Sequence, residues 1–592
     1  MVCYARSRRF ESTGAQLRHE ARTALYCHEF LHKKFAPNRF DLTLRITEDP
    51  IADEYKKMGD LHEANVIASI KESSVKWLQI DPLASYEIQE IDTASALLRT
   101  DIDIILGANI SGVCEAELKK HLGDRCKGDE ERVSRPDVLV KVGEESGVAV
   151  WAPVDIKSHS AFDNENKSNQ VELMDLTTLT PTETLAGRID KSDALQLAHY
   201  TFHLRELGLA PSDYKAGIIG SDGKQIAWTY LDQTRFGRGK AAPDALTIYI
   251  EEFLKAKEII QQSLVQAKDA TAKVNALAMV QPDGVYGCKS CEFKDVCLQE
   301  MNAFKNNEGH PTLLAKVTPN TLEKIPPHIE SITDLRQAAN LTDFAATAQI
   351  RARVWQTKKP ELLDPTKGFD LPEFDIEIDI DLENSQAALQ EIDPGQTAGI
   401  DQVYLYGYGI HDRTKNKDWR TAHIDSFGNY DDTEAAEYEV LLNMWQLLEN
   451  EVAKAESNNQ TIGIFHYSHH EKTWWKNFAR RHAGKPGVPT EAAAEDFMDK
   501  YFVDLRPYAE KISFPTMSYS IKALAPVAGF AWKAEDAGGA MSLLKYKAAT
   551  ANDVDQSTKT EAIEWLREYN WDDIRATFAV RDYIRSISGS WI

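Results

Sequence analysis

LPEFDIEIDIDLEN, residues 371–384, alternates apolar and acidic residues without a break. Phe374, Ile376, Ile378, Ile380 and Leu382 fall on one face, and Asp375, Glu377, Asp379, Asp381 and Glu383 on the other. A period of two is the pattern of a half-buried β-strand. Five acids on one face repel one another, so most are expected to be solvated or to hold cations. A wet strand face accounts for most of them and leaves room for a metal site at the strand's end.

The region that follows is rich in strands, with DQVYLYGYGI (401–410) and QTIGIFHYS (460–468), and it ends in helical patterns, EAIEWLREYN (561–570) and DDIRATFAVRDYIRS (572–586). The polar stretch 384–400 reads as a loop. HPTLLAKVTPNTLEKI (310–325) belongs to a small helical connector over 306–365. Upstream, a helical pattern over 53–80 precedes strand-like DIDIILGANI (101–110), RPDVLVKV (135–142) and GVAVWAPVDIKS (147–158). Helical DALQLAHYTFHLREL (193–207) and LTIYIEEFLKAKEIIQQSLVQAK (246–268) come next. The fold class is α/β, with domains expected over 1–305 and 366–592. A chain of 592 residues is too long for one ordinary core, which supports that division.

No apolar run approaches the ~20 residues of a membrane span, and MVCYARSRRF (1–10) has no apolar stretch behind it, so a cytoplasmic protein with no membrane partner is expected. A net charge of −24 argues against wholesale coating of nucleic acid. It does not exclude a nuclease, because metal-dependent nucleases need clustered carboxylates and a basic groove can sit on an acidic body. KTWWKNFARRHAGK (472–485) and RTKNKDWR (413–420) are the candidate basic segments, although solvated surface explains either one alone. No GxxxxGK[ST] phosphate loop is present; GIIGSDGKQ (217–225) has the wrong spacing, so any unwinding needs a separate helicase as partner.

Seven cysteines thinly spread over the chain do not form a disulfide framework. Three of them crowd into CKSCEFKDVC (288–297), and C-x2-C-x5-C suits one metal centre. Zinc would want a second nearby pair, and none follows. The fourth ligand is expected from Cys27, with Cys114 and Cys126 as alternatives and Cys3 close to the chain end. Iron–sulfur clusters accept ligands from distant segments, so the spacing favours [4Fe–4S].

Two carboxylate constellations carry the remaining chemistry. In PVDIKSH, Asp155 and Lys157 lie two apart on a strand and share a face; Asp137 sits at the end of the preceding strand-like run. Two carboxylates and a lysine can hold a divalent metal and aim water at a phosphodiester. His62 in GDLHEANV could complete the metal shell, and Gln196 and Tyr200 lie four apart on one helix face. In isolation the DxK pair reads as surface ion pairing and His62 as a structural histidine. The second constellation joins the acidic strand to YNWDDIRAT (569–577), where Tyr569-x3-Asp573 is read as opening a helix.

The order G-x-x-H, D, D-x-K, Q-x-x-x-Y, C-x2-C-x5-C, with a lone early cysteine, resembles the RecB-like PD-(D/E)xK nucleases that carry an iron–sulfur cluster. The resemblance covers roughly residues 20–300. It implies a restriction-endonuclease-like domain with His62, Asp137 and Asp155 as metal ligands, Lys157 as the catalytic lysine, and Gln196 and Tyr200 as the helix motif that follows. Cys27, Cys288, Cys291 and Cys297 would hold the [4Fe–4S] cluster. A DxE at the end of a first strand plus YxxxD on a late helix resembles the DEDD exonucleases, which have a ribonuclease-H-like fold. That resemblance implies a second site with Asp573 and a DxE from the acidic strand; several registers could supply the DxE, Asp381 and Glu383 being favoured, and a DNA-binding platform is the alternative to an active domain. The middle motif usually supplies another Asp, where FHYSHHEKTW (465–474) offers Glu471 with His466 and His470 nearby. The combined expectation is a Mg²⁺- or Mn²⁺-dependent nuclease acting on single-stranded DNA or DNA ends in repair, recombination or defence. The alternatives are an RNA-directed nuclease and a non-catalytic nucleic-acid-binding or redox-sensing iron–sulfur protein.

Overall fold

The computed structural model describes residues 18–46, 50–113, 131–145, 147–163, 169–237, 241–274, 288, 291–364, 366–385, 401–431, 433–534, 539–551 and 554–589. Cys3, Cys114, Cys126 and the loop from 386 to 400 lie outside them.

Among the described residues a short strand (Arg18–Glu20) and a helical turn (Ala21–Leu25) precede helices α1 (His28–Phe35) and α2 (Pro50–Glu72). Eight strands then build a mixed sheet: β1 (Trp77–Gln79), β2 (Ile104–Leu106), β3 (Val138–Glu145), β4 (Val148–Ile156), β5 (Gln170–Asp175), β6 (Pro181–Ala186), β7 (Lys215–Ile219) and β8 (Gln225–Tyr230). Among the described residues their spatial order is β1-β2-β3-β4-β7-β8-β5-β6. Strand β4 is the centre, buried at every position but its first, and it pairs antiparallel with β3 and parallel with β7. Helices α3 (Lys191–Glu206) and α4 (Ala245–Lys268) cover the sheet; Asp190 and Asp244 cap them by accepting from backbone N–H groups.

Helix α5 (Lys294–Asn307) carries Cys297 back to α1. Lys33 of α1 is buried and reaches Glu300 of α5 at 2.6 Å, while Ile46 N–H donates to the Glu292 carbonyl at 2.9 Å. Phe30, Phe293, Cys291 and Cys297 share one apolar cluster. The two ends of the N-terminal region are therefore pinned together. The connector holds α6 (Asp343–Thr357) and two shorter helices around a small core of its own.

The C-terminal sheet has five strands among the described residues: β9 (Ile376–Asn384), β10 (Val403–Asp412), β11 (His423–Gly428), β12 (Ile462–His466) and β13 (Phe502–Asp504). Their order is β11-β10-β9-β12-β13, antiparallel for the first three and parallel from β9 to β13. Its helices are α7 (Glu434–Ser457), α8 (His470–Arg481), α9 (Glu491–Tyr501), α10 (Ile521–Val527), α11 (Gly539–Thr550) and α12 (Gln556–Gly589).

The alternation of β9 sorts its faces as expected from Ile376 onward. Ile376, Ile378, Ile380 and Leu382 enter a core shared with α7 and α8. Phe374 precedes the strand and packs instead on the opposite side, edge-on to Phe465. Asp375 also lies outside the strand, accepting from the Thr461 backbone and hydroxyl at 2.8 and 2.9 Å.

The acid face is not solvated along its length, which corrects the expectation of a wet face. Helix α12 crosses it, and Tyr569, Asp573, Thr577, Arg581 and Arg585 form one i, i+4 row. Arg581 and Arg585 meet Glu377 at 3.0 and 2.6 Å, and Arg581 also pairs with Asp379. Glu377, Asp379 and Arg581 are all fully buried. Burial pushes Glu377 up, but Arg581, Arg585 and Arg413 outweigh it and leave this carboxyl below its ordinary range. Asp379 is lifted by burial to about 7 against the pull of Arg581. The helix can lie this close because Gly407 and Gly409 of β10 carry no Cβ: a methyl at Gly407 would overlap Asn570 Oδ1, and one at Gly409 would meet Phe578 and Ile574.

Candidate active site

At the far end of the same strand face, the row on α12 changes from arginine to Asp573. Asp381, Glu383 and Asp573 present one oxygen each within 4.8 Å of one another, the one group of three such ligands found among the described residues. A register shift between Glu383 and Asn384 ends the regular ladder with β10 at this point. Bulges of that kind re-aim side chains at strand ends. Asp573 lies well inside the 34-residue helix α12 and does not open it, a correction to the reading of 569–577.

Each carboxylate is fixed by a donor. Asn570 Nδ2 donates to Asp381 Oδ2 at 2.9 Å, Trp532 Nε1 donates to Asp573 Oδ1 at 2.7 Å, and Lys522 of α10 pairs with Asp573. Tyr569, one turn before Asp573, also donates to it. Removal from water lifts Asp381 well above the usual carboxylate range, and Asp573, Glu383 and Glu471 add to the rise. Glu383 is pushed up to about 8 by burial and by Asp573, against Lys522 and Ser542. Burial raises Asp573 too, with Lys522 opposing. Acids crowded in this way are relieved by a cation, so the donor set fits a hard divalent metal held by oxygen ligands.

Glu471 opens α8, close enough to Asp381 to raise it, but it is not one of the three tight ligands. It is buried, with Oε2 3.3 Å from Nδ1 of the fully buried His466. Asp572, beside Asp573, turns away to Arg575 and the Lys533 backbone at 2.6 Å each. Lys522 and Trp532 were not legible as site residues; SYSIKAL (518–524) carries the lysine on a short helix.

The N-terminal candidates gather less tightly. The β3–β4 register places Val138 opposite Val154, so Asp137 at the start of β3 stands next to Asp155. Asp137 accepts from Ile156 N–H at 2.8 Å. Burial, Asp155 and then Glu63 raise it well above the carboxylate range. Asp155 is buried; its Oδ1 accepts no hydrogen bond, and Oδ2 lies 2.8 Å from Lys157 Nζ. Lys157 donates to Gln196 Oε1 at 3.1 Å, and Gln196 Nε2 donates to Tyr200 at 2.9 Å. Burial lowers the lysine's affinity for its proton, but Asp155, Asp193 and Asp137 reverse this and hold it above its ordinary value. The sequence reading missed Asp193, 3.8 Å from Lys157, although 193, 196 and 200 share one face of α3. His62 is not brought into a three-ligand group: its Nε2 meets the Gly220 carbonyl at 3.1 Å, and its neighbour Glu63 acts on Asp137 instead.

Cys27, Cys291 and Cys297 share one neighbourhood. Burial pushes the Cys297 thiol up to about 12, with Lys33 opposing and Glu29, Cys291 and Cys27 adding to the rise. Cys288 is joined to Cys291 by a backbone hydrogen bond of 3.2 Å.

Residues 397–585 match RNase_H_2, a family model of the RNase_H superfamily. The C-terminal region is an RNase H-like domain. That domain class points to a nucleic-acid-cleaving enzyme in general, and Glu471 and Asp573 fall within the matched span while β9 precedes it. Comparison with curated proteins and with solved structures returned no match. No described helix is long and apolar enough to cross a membrane.

Proposed function

We propose that the protein is a metal-dependent nuclease whose RNase H-like domain hydrolyses phosphodiester bonds at Asp381, Glu383 and Asp573. One observation carries the reading: a single helix row neutralises the acid face of β9 with arginines at one end and adds a further carboxylate at the other. A fold that needed only stability would continue the arginines. Mg²⁺ or Mn²⁺ held by these three residues supplies an acidified water and charge neutralisation at the leaving oxygen. Glu471 stands near Asp381 as the acid of the middle motif. Trp532 and Asn570 orient Asp573 and Asp381, so neither carboxylate must be ordered when substrate arrives. Lys522 tempers the acid cluster toward an anionic phosphate. The Tyr569 phenol, raised by burial and by Glu383, stays protonated at neutral pH and serves as a hydrogen-bond donor beside Asp573.

A second centre is supported by the Asp155 carboxylate, buried with Oδ1 lacking a donor beside Lys157. In this reading the N-terminal region is a RecB-like PD-(D/E)xK domain. Asp137 and Asp155 would hold a divalent metal, Lys157 would face the developing anion, and Gln196 and Tyr200 would order the lysine. His62 contributes to the wall under Gly220. Cys27, Cys288, Cys291 and Cys297 would hold a [4Fe–4S] cluster that fastens α1 to α5. Single-stranded DNA or DNA ends are the proposed substrates, with a separate helicase as partner. The test is cleavage of end-labelled single-stranded DNA and RNA by the full chain in Mg²⁺, Mn²⁺ or EDTA. The account expects cleavage with either metal and none in EDTA; undiminished cleavage in EDTA would overturn it.

A further inference from the structure

A cavity of about 330 Å³ lies beside the carboxylate cluster, walled by α12, by the segment from 528 to 533 and by the turn before β11. It shares a wall with the cluster. Trp532, which holds Asp573, stands between the lining residues Ala531 and Lys533, and the Lys533 backbone N–H donates to Asp572 at 2.6 Å. Arg575 lines it two residues beyond Asp573. The described lining holds three cations, Arg420, Lys533 and Arg575. Arg575 is taken up by Glu568 and Asp572 at 2.8 and 2.6 Å, whereas Lys533, paired with Glu568 at 3.1 Å, keeps two thirds of its side chain exposed.

Its aromatic groups are ordered. Phe578 stacks on Trp419 with ring planes 4° apart, and the Arg420 guanidinium lies 5.0 Å from the Trp419 ring centre. The Arg420 guanidinium beside Trp419 is largely exposed and pairs with the exposed Asp418 at 3.1 Å. Phe530 lines the cavity as well. Guanidinium planes and aromatic rings take nucleobases by stacking, which is tolerant of sequence, while cations take the backbone. A volume near 330 Å³ is at the lower end of ligand clefts and has room for one nucleotide, not for a duplex.

We propose that this cavity binds one unpaired nucleotide of the substrate strand, stacking its base on Arg420 and Phe530, with the exposed Lys533 exchanging its Glu568 pair for the phosphate. The inference rests on the nuclease reading of Asp381, Glu383 and Asp573, and it assigns the proposed single-strand preference to named residues. RTKNKDWR (413–420) thus supplies a recognition element through its last residue.

The test uses the full chain with Arg420→Glu at an exposed position and, separately, Phe530→Leu, which keeps apolar bulk against Trp532 but removes the stacking ring. Binding of a fluorescein-labelled oligothymidylate is measured by anisotropy in Mn²⁺ in a Glu383→Gln background, and hydrolysis of bis(p-nitrophenyl) phosphate, a diester with no base to stack, is measured without it. The expected result is an oligonucleotide Kd raised on the order of tenfold by either variant, with duplex binding and small-diester hydrolysis unchanged. If the parent binds and cleaves the oligonucleotide but both variants bind it as tightly, the cavity is not the strand site. If the variants lose duplex and single-strand binding equally relative to the parent, the claimed preference is wrong. A wild-type protein that hydrolyses neither substrate would overturn the nuclease reading itself, a different outcome from either of these.

Discussion

Replacing Glu383 with glutamine should make the metal-free protein more stable while abolishing cleavage by the RNase H-like domain. Glu383 is held at about 8, against ~4.3 for a free glutamate. Between those two values the folded chain binds more protons than the unfolded chain, so its stability falls as pH rises. Each pKa unit corresponds to ~1.4 kcal/mol, but the rise is shared with Asp381 and Asp573, and Glu383 keeps part of its surface in water. About one unit's worth is therefore the share assigned to this side chain, or roughly 2–4 °C in melting temperature for a domain of this size. Glutamine preserves the shape and can still accept from Ser542. In EDTA the variant should melt no higher than the parent at pH 5 and progressively higher toward pH 8. In saturating Mn²⁺ the order should reverse, because a ligand at 100 times its Kd adds ~2.7 kcal/mol to a protein that can bind it. Differential scanning fluorimetry across pH, with and without Mn²⁺, reads both effects. A variant that melts lower than the parent in EDTA at pH 8 would refute the reasoning, because the three acids would then not be repelling one another.

Other outcomes follow from the same geometry. Gly407→Ala should destabilise the protein by about 1–3 kcal/mol as an overpacked core position and should lower cleavage further than the stability loss explains, since the methyl displaces the amide that holds Asp381; parallel melting and activity measurements separate the two. Arg581→Met should cost about 3–5 kcal/mol in urea unfolding, because Glu377 and Asp379 are left buried without their shared partner. Protein purified without oxygen should be brown and hold about four irons per chain; stoichiometric zinc would replace the cluster with a zinc centre, and absence of any metal from folded protein would remove it. Lys157→Ala should lower Mn²⁺ affinity little but remove whatever cleavage the N-terminal centre contributes, measured in an Asp381→Asn background.

The strand β9 is legible because alternation over nine residues has no competing helical reading, but several registers of it could supply the paired acids, and only the placement of Asp573 against the strand end brings Asp381 and Glu383 together with it. The fate of Glu377 and Asp379 was also written in the sequence, in Tyr569, Asp573, Thr577, Arg581 and Arg585 at spacings of four, but only the crossing of α12 over β9 shows which acids those arginines meet. Lys522 and Trp532 gave no signal at all: they reach Asp573 from the segment between β13 and α11, and no local pattern marks a tertiary contact of that kind. In the N-terminal region the DxK spacing points to Asp155 and Lys157, whereas the closeness of Glu63 to Asp137 depends on how α2 packs and left no mark in the sequence. The segment KTWWKNFARRHAGK illustrates the opposite case. Lys476, Arg480, Arg481 and Lys485 are each answered by a nearby glutamate, so its basic character is spent within the fold.

The central claim is that the RNase H-like domain cuts nucleic acid at Asp381, Glu383 and Asp573, and it is tested most directly by Mn²⁺-dependent cleavage of a labelled single-stranded oligonucleotide in an Asp155→Ala, Lys157→Ala double variant of the full chain. With the N-terminal centre disabled, the account predicts that cleavage persists and that adding Asp573→Asn eliminates it. Cleavage that vanishes with the first two substitutions, or that survives the third, would contradict it.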